Sequence, residues 1–228
     1  MSMTEEAKQI AKVRGSIYTL LSQCFMQPTK ELVNSIIDGT LNDAFENNIG
    51  LTEDKKVLEK LVKLKDFSTQ SKKLFSEEVL REMKAEYSRL FVGPGHVLAP
   101  PYESVYKTKN EDNKTGMVMG DSAVAAKQFY RSADLEISDN YKDLPDHITL
   151  ELHFMGHLCT LESERAEESE GDQASVRKMQ VNFLKAHLGS WVSNFSQAIS
   201  QATNSPFYCG VAELTERWIK IELDELEL

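Results

Sequence analysis

"LFVGPGHVLAPPYESVY", residues 90–106, holds two glycines, three prolines and two tyrosines in seventeen positions. What precedes it reads as a helix. From about Glu77 to Phe91, Leu80, Met83, Tyr87, Leu90 and Phe91 recur at the three-and-four spacing of one helical face. Gly93-Pro94-Gly95 ends that helix, because glycine relaxes the backbone and proline cannot continue the ladder. Pro100 and Pro101 then fix two φ angles and push Ala99 toward an extended conformation. Tyr102 and Tyr106, four apart, are expected on a rigid strand-like path. Two readings stand side by side: ordered aromatics beside prolines make a wall for a peptide groove, or a connector plugs its tyrosines into the core.

Helical periodicity extends outward from this stretch in both directions. Ile10, Val13, Ile17, Leu20, Leu21, Cys24 and Phe25 form one face, with Ser2 and Glu5 as its cap and Pro28 as its stop. Thr29 opens a short helix ended by Gly39, and another runs from about Thr52 through Leu64. Residues 107–120 read as a loop. Asp121 or Ser122 caps a helix through Tyr130, and Pro145 opens one that reaches about Glu168. An acidic linker follows, then a long helix from about Ala174 to Ala202 and a short one carrying Val211, Leu214, Trp218 and Ile219. Strict alternation is almost absent, so the fold class is all-α, a single globular bundle of about ten helices. The whole chain, 1–228, reads as one domain with a soft subdivision near 135–145.

The 228 residues are 41% hydrophobic and 27% charged, enough to bury a sizeable core unaided. Three scattered cysteines without a CxxC pair indicate neither a disulfide framework nor a zinc ribbon and suit a reducing compartment. No apolar leader or spanning run is present, which points to the cytoplasm and no membrane insertion. A net charge of −10 argues against nucleic acid and suits either a basic partner or simple solubility. "GPGHVLAP" follows a helix and lacks the lysine of a phosphate loop. No cofactor is expected.

"LPDHITLELHFMGHL", residues 144–158, is the other stretch with chemistry in it. Asp146 near a helix N-terminus is favoured by the dipole, and His147 is read as an exposed helix-start residue that can pair with Glu151 one turn on. His153 and His157 share a helical face at metal-ligand spacing. His147 lies off that face, however, and Asp146 sits about 10 Å up the axis at 1.5 Å per residue. Two ligands do not make a site, so a metal-dependent hydrolase on His153 and His157 is the weaker alternative. His187, inside the band Phe183–Leu184–Leu188–Trp191, reads as a buried histidine with one satisfied hydrogen bond.

Taken together, these stretches resemble the TorD/DmsD family of redox-enzyme maturation chaperones, relatives of the NarJ group. The matches are "EYSRLFVGPGHVLAPPYESVY" (86–106), "PDHITLELHFM" (145–155) and "FLKAHLGSWVSNF" (183–195). At Ser132-Ala133-Asp134 the sequence departs from relatives that place a glycine there. The resemblance implies a TorD-like, all-helical cytoplasmic chaperone and not an enzyme. It implies binding to the twin-arginine leader and unassembled body of an exported molybdoenzyme, the precursor of a molybdopterin-dependent oxidoreductase, until its cofactor is inserted. It implies a monomer or weak homo-oligomer. The leader-binding residues it carries over are Asp146, His147, Tyr87, Leu90, Phe91, Pro101, Tyr102, Glu103 and Tyr106. The competing class is a helical adaptor without a leader groove.

Overall fold

A computed structural model describes residues 5–49, 55–107, 120–138, 141–165 and 170–226. Eleven α-helices run through the described residues: α1 Glu5–Cys24, α2 Lys30–Asp38, α3 Thr40–Ile49, α4 Lys55–Ser71, α5 Ser76–Tyr87, α6 Glu103–Lys107, α7 Asp121–Ser132, α8 Ile148–Arg165, α9 Glu170–Ala186, α10 Leu188–Ala202 and α11 Pro206–Leu226. A five-residue π-helix, Ser88–Val92, continues α5. The one β-type pairing among the described residues is an isolated bridge, Tyr102 to His147. The all-α class holds.

Several element boundaries differ from the sequence reading. The helix expected from Ala174 to Ala202 is two helices, interrupted at His187, whose side chain is drawn to Glu103. The final helix is not short: it runs twenty-one residues, because its second half carries the buried Trp218, Ile219 and Ile221. α3 has no counterpart in the sequence reading, although Leu41, Phe45 and Ile49 bury its inner face. Pro145 does not open α8, which starts three residues later. Gly120, rather than Asp121 or Ser122, occupies the N-cap position of α7. The Ser2 cap, the start near Thr52, the loop at 108–119 and the linker at 166–169 lie outside the described residues.

Two compact units share the chain. Met1–Ser22, Tyr102–Val192 and Ile219–Leu228 form the first, and Gln23–Pro101 with Ser193–Trp218 form the second. Residues 135–145 lie within the first.

In the first unit, α8 is buried along most of its length, with Leu152, Phe154, Met155, Leu158 and Cys159 inside. It meets α1 backbone to backbone: a Cβ on Gly15 would stand 3.2 Å from the Gly156 carbonyl oxygen, and one on Gly156 3.3 Å from that of Gly15. A Cβ at either position would crowd the facing backbone. Phe154 and Phe183 meet edge to face at 4.7 Å, and Tyr130 adds to them at 4.8 Å from Phe154, a geometry that aromatic quadrupoles favour. Beside this apolar centre lies a charged one. Arg14 donates Nε and Nη2 to Glu222, Nη1 to Glu162 at 2.8 Å and Nη2 to the Gln180 carbonyl at 2.7 Å. Gln180 in turn donates to Glu162, and the Tyr18 hydroxyl donates to Glu222. Each of the three guanidinium nitrogens donates to a buried acceptor, which helps the fold tolerate a buried charge.

In the second unit, Thr29 caps α2 by accepting from the Leu32 N–H, and Gly39 closes it at φ 94°. α2 packs on α3, α4 and α5. Phe91 is the aromatic hub, with rings of Phe25, Tyr87, Phe195 and Tyr208 between 5.2 and 6.4 Å from it.

Candidate functional site

Residues 102–107 are helical from Glu103 onward, which corrects the strand-like path expected for Tyr102 and Tyr106. The helix forms there because Asp146 caps it. The Glu103 N–H donates to the Asp146 carbonyl at 3.0 Å, and the Ser104 N–H donates to the Asp146 carboxylate at 2.9 Å. Asp146 is wholly buried and serves the start of α6, not of its own helix. His147 fills the N-cap role of α8: its carbonyl accepts from Leu150 and Glu151, and its Nδ1 accepts from the Thr149 N–H at 3.2 Å. The Thr149 hydroxyl stands 2.7 Å from the same nitrogen. His147 is therefore buried and not exposed, and burial holds its pKa down to about 4 against the pull of Asp143 and Asp146.

Tyr102 is the half-exposed member of this group. Its ring edge rests on His147 at 5.1 Å, and its hydroxyl donates to Asp143 at 2.9 Å. Tyr106, one helical turn on, turns inward and stacks on Trp191 at 5.5 Å. Tyr106 thus plugs the core, whereas Tyr102 keeps a half-exposed ring.

Behind Tyr102 sits a buried polar cluster. Glu103 Oε2 lies 2.6 Å from His187 Nδ1, and its other oxygen meets the Lys107 ammonium. Burial works to raise the Glu103 carboxyl, but the bonds to His187 and Lys107 hold it below the usual carboxylate range. Glu151 goes the other way. Burial first, and the Glu103 charge second, push it well above the usual range, so it stays a neutral acid facing Glu103. Trp191 Nε1 donates to Glu151 at 3.0 Å. The expected His147–Glu151 pair does not form, since each side chain is taken by a closer partner. His187 is buried and bonded through Nδ1 as read, but its partner is a carboxylate rather than part of an apolar face.

Glu103, Glu151 and His187 bring ligand atoms within 4.8 Å of one another, the one such group of three among the described residues. The donor set does not fit a cation. The Lys107 ammonium already lies against Glu103, and Glu151 keeps its proton. His153 is exposed, His157 is half-buried, and Asp146 is committed to the Ser104 N–H, so the alternative metal reading finds no third ligand.

The remaining predicted residues belong to the second unit. Leu90, Phe91 and Pro101 are buried, and Tyr87 is half-buried against Phe91. The π-helix hands the chain to Gly93 at φ 96° and Gly95 at φ 99°, a left-handed path that side chains resist. The Ala99 N–H then returns to the Leu90 carbonyl at 2.9 Å, which closes the loop. That closure accounts for the glycines and for Pro94. Sequence reading missed Lys107, Glu151 and Trp191 as partners of this site. A glutamate at an inward position of α8 was the available signal.

The profile of the nitrate reductase delta subunit family matches residues 52–197, a span that contains both the capped α6 and the buried cluster. The chain belongs to this family. The chaperone protein TorD of Shewanella pealeana is 29% identical over 98% of this chain and 94% of its own length. That of Colwellia psychrerythraea is 23% identical over 97% and 95%. A solved protein from Archaeoglobus fulgidus assigned to redox enzyme maturation shares the fold, with TM-score 0.52 at 19% identity over 90% of this chain and 93% of its own. The chain is thus a chaperone of the TorD group, and not an enzyme. No helix among the described residues is long and apolar enough to cross a membrane.

Proposed function

We propose that this chaperone acts in the cytoplasm on an exported molybdoenzyme, holding its twin-arginine leader and its unassembled body until the molybdopterin cofactor is in place. The observation that supports this most directly is Tyr102: a half-exposed aromatic ring, held against the His147 ring and at its hydroxyl by Asp143. An ordered aromatic binds an apolar peptide with little loss of side-chain freedom. In this reading Asp146, His147 and Glu103 are positioning residues, because each is buried and each fixes the backbone or ring of Tyr102. Tyr106 supports the same turn by packing inward on Trp191, and Tyr102 offers the contact. Of the carried-over residues in the second unit, Leu90, Phe91 and Pro101 are buried, and Tyr87 is the half-buried one that offers a peptide contact of its own. The carboxylates of an acidic chain suit the arginines of the leader. No bond chemistry is involved.

Co-purification from the native cell tests this. An exported molybdoenzyme precursor is expected with the tagged chain. Its loss when Tyr102 is replaced by alanine, in protein that still melts as wild type does, assigns the contact. Recovery of unrelated helical proteins without any leader-bearing precursor would favour an adaptor.

A further inference from the structure

The second unit contains a cavity of about 510 Å³, within the range of ligand pockets. Phe67, Met83, Pro206 and Tyr208 give it apolar walls, and Glu82, Glu86, Arg89 and the turn at 201–205 give it polar ones. None of the residues carried over for leader binding lines it. Inside it the protein already solves a recognition problem. Arg89 donates Nε and Nη2 to the two oxygens of Glu86, at 2.8 and 2.6 Å, and Nη2 again to the Ala202 carbonyl at 2.8 Å. That carbonyl is at the C-terminal end of α10, where the helix dipole favours positive charge. The Thr203 hydroxyl also donates to Glu86, and the Ser205 N–H donates to Thr203. Glu86 is therefore saturated by internal donors.

Glu82, one helical turn earlier on α5, is exposed, lines the same cavity and has no ion pair among the described residues. The lining carries two carboxylates against one guanidinium, beside the carbonyl end of a helix. The N-terminus of α11 at Pro206 is the opposing element, and Arg89 adds to it; Glu86 neutralises that charge. What remains is an unpaired carboxylate over an apolar floor of Phe67, Met83 and Tyr208.

We propose that this cavity receives an arginine side chain of a bound polypeptide, its aliphatic stem on the apolar floor and its guanidinium on Glu82. The occupant is one of the leader's two arginines, which rests on the proposed function above. Arginine suits the site better than lysine because a planar fork can engage a carboxylate and a helix-end carbonyl together.

Two measurements test it. Amide resonances are followed while arginine amide, or citrulline amide, the isostere with an uncharged side chain, is added. Arginine amide should shift Glu82, Thr203 and Ser205, citrulline amide should not, and Glu82→Gln should abolish the difference. Calorimetry with a twin-arginine leader peptide should show Glu82→Gln weakening binding about twofold to fivefold, the range of an accessible ion pair. A leader with the matching arginine changed to glutamine should lose that dependence on Glu82. Equal response to the two amides would overturn the assignment. So would a leader that binds wild type and Glu82→Gln alike, and in that case the chaperone reading stands. A leader that fails to bind wild type, alongside a Glu82-dependent response to arginine amide, sinks the leader-binding reading and leaves the cavity assigned to an arginine of another polypeptide.

Discussion

Glu151 lies wholly inside the first unit, facing one carboxylate and accepting from one indole. Its pKa is raised on folding, so its contribution to stability is complete below the ordinary carboxylate value of 4.5 and is lost as pH rises through the raised one. His147 has the opposite sign. Its contribution is present above 6.5 and is lost as pH falls toward about 4. Between those limits the two oppose each other. Glu151→Gln keeps an acceptor for Trp191 and removes the proton equilibrium. Its melting temperature should stop falling on the alkaline side, while the acid-side loss from His147 remains. A thermal-melt series from pH 4 to 9 on both proteins measures this; parallel profiles would mean that Glu151 does not titrate as described. Trp191→Phe leaves a buried carboxyl without its donor and is expected to cost about 1–3 kcal/mol in denaturant unfolding.

The start of α6 shows what a local sequence can and cannot disclose about an element. Glycines, prolines and three-and-four spacing located most helices and the turn at Gly93, because those signals act on the residues that carry them. Asp146 also looked like a helix-start residue, and it is one, but for a helix 42 residues earlier. No periodicity encodes that partner. The interruption at His187 and the full length of α11 were hidden for the same reason, since each depends on contacts made across the fold. The all-α class was legible; which site residues face solvent was not. Asp146→Ala is accordingly expected to cost about 1–3 kcal/mol, the loss of a buried cap, and Asp146→Asn less, as denaturant titration would show. Asp134 is the one non-glycine residue at positive φ, 57°, among those described. Asp134→Gly should stabilise the protein by roughly 1 kcal/mol and raise its melting temperature, since glycine adopts this conformation without a Cβ clash. No gain would mean that the carboxylate compensates locally.

At the scale of the whole molecule, charge sets how partners arrive. With a net charge of −10, association with a basic leader should slow and weaken as salt rises, yet persist through the apolar contact at Tyr102. Stopped-flow association across a salt series reads this directly, and salt-independent rates would remove steering from the account. Stability at this scale rests on Arg14, and Arg14→Ala should cost about 3–5 kcal/mol by stranding Glu222 as a buried acid without its cation, while Glu162 keeps Arg177 and Gln180. The position of that arginine has a consequence for biosynthesis. Its principal partner, Glu222, is 208 residues further along the chain. On the ribosome, Arg14 leaves the exit tunnel long before the carboxylate it needs, so the first unit cannot close around its charged centre until Glu222 has also emerged. Nascent chains stalled short of residue 222 should therefore stay open to protease within α1.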